Sequence, residues 1–134
     1  MKIKTIFWIV AGIVMLQVLP LYASLFSETF KLELTTDAFG PNMSEDALLM
    51  FEFFALVVGL TGTGVVFALI GATSFKEEAV LRRVSFLFFV ILGFFALPDL
   101  ISYLKGDPTA PLPVVLLGLS SLVLLLYAAK KGRA

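Results

Sequence analysis

Four stretches of this chain are long, continuous and almost wholly apolar: roughly Thr5–Phe26, Ala47–Thr73, Val84–Leu104 and Leu112–Ala129. A helix that crosses the hydrocarbon of a bilayer needs about 20 such residues, with a range of about 17–25. Inside lipid every backbone N–H and C=O must find a partner within the segment, so a spanning run of this kind is a helix. Nothing else in the sequence restricts the fold as strongly. Composition agrees, because 60% of the 134 residues are apolar and 15% are charged, whereas soluble domains average nearer half and a quarter. A soluble domain this small has too much surface to hide so much apolar side chain.

The cations suggest an orientation. Lys2 and Lys4 precede the first run, Lys76, Arg82 and Arg83 separate the second from the third, and Lys130, Lys131 and Arg133 follow the fourth. With four spans these eight share one side, and only Lys31 and Lys105 fall on the other. Lys and Arg collect in cytoplasmic loops, so both termini are expected in the cytoplasm of a cell (inner) membrane protein. The acids lean the other way, with Glu28, Glu33, Asp37, Glu45, Asp46 and Asp107 outside. Short links then predict an all-α, polytopic, up-down-up-down bundle of four transmembrane helices, forming a single membrane domain over residues 1–134. Met1–Ser24 also resembles a secretory signal peptide, with a basic start, an apolar core and small residues in LYAS. Cleavage there would leave three spans. The run extends to Phe26, beyond a usual signal core, so the expectation is a retained first helix.

The external loop, residues 27–46, is long for a link between packed helices and reads as a cap or lid. Within it Phe30, Leu32 and Leu34 alternate with Lys31, Glu33 and Thr35. That period of two predicts a short strand or extended segment. Phe39-Gly40-Pro41-Asn42 signals a turn. Asn42 or Ser44 is placed to cap the second long helix, with Glu45 and Asp46 favourable at its positive end. Gly106 is placed to end the third.

Two carboxylates, Glu52 and Asp99, fall inside the runs. A charge at mid-bilayer costs roughly 2.5–3.5 kcal/mol on insertion scales, and less near the interface. Each acid lies about five residues from the outer end of its helix, so at about 1.5 Å per residue both sit roughly 7–8 Å deep. Gln17 lies somewhat deeper, and Tyr22 and Tyr103 stand near the same outer level. If these groups turn inward they form a polar pocket open to the outside. Two nearby carboxylates cannot both ionise cheaply, so such a pocket would hold a proton, a cation or an amine. The plainer alternative is that both acids reach up to water. Pro98, beside Asp99, lacks an N–H and frees the Phe94 carbonyl, and Pro20 does the same in the first helix. Two such interruptions at one level would splay the outer half of the bundle.

GLTGTG, Gly59–Gly64, lies inside a span with no strand before it, so it is a packing sequence and no nucleotide loop. Gly64, Ala68 and Ala72 recur every four residues, a small-residue face for a neighbouring helix, and Gly59 continues the side of Glu52. This glycine-rich second span, ending near a basic inner loop, resembles the small four-span bacterial proteins of the broad DoxX-like group in length and topology. That resemblance implies a four-helix membrane fold and transfers no functional residues.

The chain has no Cys and no His. Disulfides, thiolate nucleophiles, Cys/His metal sites and imidazole acid–base chemistry are therefore excluded. A net charge of zero offers no field for nucleic acid. No cofactor or metal site is expected. The favoured expectation is binding or transport of a small hydrophobic or cationic molecule by Glu52, Asp99, Gln17, Tyr22 and Tyr103. The alternative is a non-catalytic accessory subunit that meets a membrane partner, or a second copy, through its small-residue face. A lipid-modifying enzyme is the weakest reading, since no nucleophile or phosphate-binding motif is present.

Overall fold

A computed structural model describes residues 1–106 and 109–134; Asp107 and Pro108, read above as part of the second external loop, lie outside the described residues. Five helices follow in order: α1 (Ile3–Phe26), α2 (Glu28–Phe39), α3 (Glu45–Ala72), α4 (Glu78–Lys105) and α5 (Leu112–Lys131). Among the described residues, α1, α3, α4 and α5 are long and apolar enough to cross a membrane. Their ends follow local chemistry. The Ser44 hydroxyl accepts from the Ala47 N–H at the start of α3, where Glu45 and Asp46 face the positive helix end. Gly106, at φ +85, closes α4 in a left-handed conformation that suits glycine.

The segment around Phe30–Leu34 is corrected from the expected strand to helix α2. The Ser27 hydroxyl caps it by accepting from the Phe30 N–H, and Gly40, at φ +89, ends it. Phe30, Leu34 and Ala38 are four residues apart, so a helix stacks them on one face. They line a cavity beneath the helix, while Leu32 is turned outward. The same apolar residues satisfy both periods, and the surface available to cover selects the helical one.

The long helices associate as two pairs, α1 with α3 and α4 with α5, joined through α1 and α5. On the remaining side α3 and α4 touch only sparsely. The buried core occupies the end that carries both termini, where Ile3, Ile6, Phe7 and Val10 meet Leu69, Leu81, Phe88 and Leu125. The Phe7 and Phe88 rings meet edge to face with centroids 5.9 Å apart. Backbone bonding ties the two termini there, from Ile3 N–H to the Arg133 carbonyl at 2.8 Å, and Arg82 Nε donates to the Gly132 carbonyl at 3.1 Å.

The face of α3 that packs also differs from expectation. Gly59 and Ala72 are buried, together with Ala55, Gly62 and Leu69. Gly64 and Ala68 are exposed, and a Cβ on Gly64 would meet nothing within 4 Å. Gly64 lies two residues beyond Gly62, about 200° around a helix of 3.6 residues per turn. A Cβ on Gly62 would approach Val18 Cγ1 to 2.5 Å, and one on Gly59 would come within 3.1 Å of the Tyr22 ring. Gly62→Val should therefore cost about 1–3 kcal/mol, as over-packing does. Thermal unfolding in detergent should show a lowered midpoint for this variant, whereas Gly64→Val should stay close to wild type.

Candidate functional site

Away from the packed core, at the end covered by α2, the four long helices enclose a cavity of about 1180 Å³. Val14, Gln17 and Pro20 of α1 line it, with Phe54 and Val58 of α3, Val90, Phe94 and Asp99 of α4, and Val114 and Gly118 of α5. Phe30, Leu34, Ala38 and Phe39 of α2 close it above. Both in-helix prolines, Pro20 and Pro98, lie in its wall. Each removes a backbone N–H from its helix at the level where the bundle stops packing tightly.

Among the described residues the lining is apolar except for Gln17, Asp99, Thr109 and Ser121. Gln17 Nε2 donates to the Val114 carbonyl at 3.1 Å, tying α1 to α5. Gly118 faces that amide, and a Cβ there would lie 3.5 Å from Gln17 Nε2, an ordinary packing distance. Ser121 is satisfied within its own helix by the Leu117 carbonyl. Among the described residues Asp99 carries the one ionisable side chain in the lining. Thr109 lies in the same wall, and its hydroxyl bonds Ser102 Oγ at 3.0 Å. None of the ion pairs among the described residues uses Asp99.

Glu52 has a different environment. It lines a separate recess of about 330 Å³ with Glu28, Lys31 and Glu45. Lys31 Nζ bonds both Glu52 Oε1 and, at 2.9 Å, Glu28 Oε1. The lysine is only 6% exposed, so its charge is balanced by two carboxylates where water is scarce. The expected shared pocket of Glu52 and Asp99 is thus replaced by two sites. Similar depth says nothing about the direction in which a side chain leaves its helix. The helical form of α2 also brings Lys31 over Glu52.

Tyr22 and Tyr103 line neither cavity. The Tyr22 hydroxyl bonds Thr63 Oγ1 at 2.8 Å and its ring packs on Gly59, so it joins α1 to α3. Tyr103 is 41% exposed. Sequence reasoning missed Lys31 and Thr109. The first had a signal, as the lone cation in an otherwise acidic loop. Among the described residues no group of three carboxylates could hold a metal ion.

The architecture is that of an all-α bundle of four long apolar helices, roofed at one end by a short helix over an apolar cavity whose lining, among the described residues, holds a single acid. No protein-family model, curated protein or solved structure matches this chain significantly. Function must therefore be read from the cavity and its fastening.

Hydrogen bonding to Glu52, and next to Glu28, raises the Lys31 pKa above its ordinary 10.5. A raised folded value means that this contribution to docking is complete below 10.5 and is lost as pH rises through the higher folded value. Because the chain lacks cysteine, a single nitroxide on Thr36→Cys can report the motion of α2. Lys31→Gln should make that label more mobile at neutral pH. The charge exchange Lys31→Glu with Glu52→Lys should restore part of the order. In wild type, mobility should rise only at strongly alkaline pH.

Proposed function

We propose that this chain is a polytopic membrane protein of the cell membrane, with both termini cytoplasmic, that binds or transports a small hydrophobic molecule bearing one cationic group. The observation that carries the reading is Asp99, an acid without a cationic partner among the described residues, in the wall of a mostly apolar cavity. Ligand sites are mostly apolar concavities of about 300–1,000 Å³ in which a few polar groups fix orientation. Apolar walls supply affinity for the body of such a molecule, and the carboxylate selects an ammonium over a neutral head.

Insertion is supported by the outer surface as well as by helix length. Leu49, Phe53, Phe67, Leu87, Phe94 and Val123 are all exposed. A soluble monomer rarely leaves contiguous apolar patches larger than a few hundred Å². Lys2, Lys4, Lys130, Lys131 and Arg133 gather at the end carrying the termini, which favours that end as cytoplasmic. A second reading, an accessory subunit, is favoured by the outward line Gly64, Ala68 and Gly71, all exposed. Such small-residue lines let another membrane helix approach closely.

Native mass spectrometry of the purified protein separates the two. Wild type should retain added long-chain alkylamine, and Asp99→Asn should weaken that retention roughly tenfold or more, as expected when a charged hydrogen bond of about 1.5–3 kcal/mol is lost. Glu52→Gln should change it little. Equal retention of the amine by wild type and Asp99→Asn would sink the binding reading, and a co-purifying protein indifferent to both changes would support the accessory one. For topology, a membrane-impermeant thiol reagent added to intact cells should label Thr36→Cys and spare Lys131→Cys.

A further inference from the structure

We infer that the cavity is loaded sideways from the bilayer, through the gap between α3 and α4, by a single-chain cationic amphiphile. This rests on the membrane-binding reading above and adds the class and source of the ligand. Three independent features converge on it.

The first is the gap. Every other adjacent pair of long helices packs, whereas α3 and α4 touch only sparsely. Phe54 on α3 and Ile91, Phe94 and Phe95 on α4 line the cavity and are also exposed, Phe54 at 56% and Phe94 at 70%. Side chains that belong to both a cavity and the outer surface mark its mouth. This mouth is wholly apolar, which suits traffic from hydrocarbon and repels a hydrated solute.

The second feature is the roof. A ligand arriving from water at this end would have to displace α2. That helix presents Phe30 and Leu34 to the cavity and is fastened by Lys31 to Glu52. The lysine is nearly buried, while Glu52 stays 39% exposed, so lifting α2 would draw a nearly buried cation away from its carboxylate.

The third feature is the position of the polar groups along the cavity. Asp99 is six residues before the end of α4 at Lys105, about 9 Å along the axis at about 1.5 Å per residue. That is close to headgroup depth for a helix emerging from the bilayer. From Asp99 the wall continues through Phe95 and Ile91 to Val90, nine residues or about 14 Å deeper. An amphiphile with its ammonium on Asp99 and its chain along this wall keeps the orientation that it has in the leaflet. It can then slide through the gap without inverting and without exposing its chain to water.

The test uses proteoliposomes and a diazirine-bearing dodecylamine already dissolved in the bilayer, with the matching dodecanol as the neutral control. The readout is the rate and the final extent of photolabelling that depends on Asp99, measured against Asp99→Asn. Val58→Trp, one turn along α3 from Phe54 in the cavity wall, and Ile91→Trp narrow the mouth from either helix. Each should slow labelling by roughly tenfold or more, within the one to three decades over which association rates of related variants range. Phe94→Ala widens the mouth and should speed labelling, which guards against a variant that merely misfolds. Lys31→Gln should leave the rate unaltered. Unchanged rates in all three mouth variants, with faster labelling in Lys31→Gln, would mean entry from water under α2 and would overturn the inference while leaving the binding site intact. If labelling of wild type does not exceed that of Asp99→Asn, the binding reading itself falls and takes this one with it.

Discussion

The close approach of α1 to α3 decides most of the remaining arrangement. Two missing side chains permit it. Gly62 accepts Val18, and Gly59 accepts the ring of Tyr22. Tyr22 then bonds Thr63, which is itself bonded to the Gly59 carbonyl, so the contact is both packed and pinned. With α3 held on α1, and α4 held on α5, the interface between α3 and α4 is left thin. The cavity lies behind that thin interface. Its existence is a consequence of where the chain spends its tightest contacts.

Along the bundle the packing changes character. At the end carrying the termini, Ile3, Phe7, Leu69 and Leu125 are completely buried. Toward the other end the prolines of α1 and α4 enter the wall, and α2 lies across the opening. A single ion pair fastens this roof to α3, because Lys31 on α2 reaches Glu52. The two acids that look alike in sequence thus do different work. Glu52 holds a structural cation, while Asp99 faces apolar space with hydroxyl neighbours. Under the proposed function, the first keeps water out and the second receives the ligand's charge.

Much of the scaffold was legible before any coordinates. Apolar length announced all four long helices, and Ser44 and Gly106 marked two of their ends correctly. These are local signals, read from a residue and its near neighbours. Failures began where two local patterns coincided. Phe30, Leu32 and Leu34 alternate, but Phe30, Leu34 and Ala38 also share a helical face. Covering a greasy opening favoured the second pattern. In the same way Gly64, Ala68 and Ala72 formed a plausible stripe, yet the buried line runs through Gly59 and Gly62. A helix that is apolar all round has no polar face to reveal which side is inside.

The sequence by itself determined the all-α class, the number of long apolar helices, most of their ends and the placing of Glu52 and Asp99 within two of them. Those properties depend on hydrophobic length and on capping groups a few residues apart. Only the tertiary structure decided the rotation of each helix about its axis. That rotation joins Lys31 to Glu52 across 21 positions and Gln17 to Val114 across 97. It also opens α3 from α4 and leaves Asp99 in the cavity wall. Rotation is set by the fit of side chains from distant segments, and an almost uniformly apolar helix carries no local record of it.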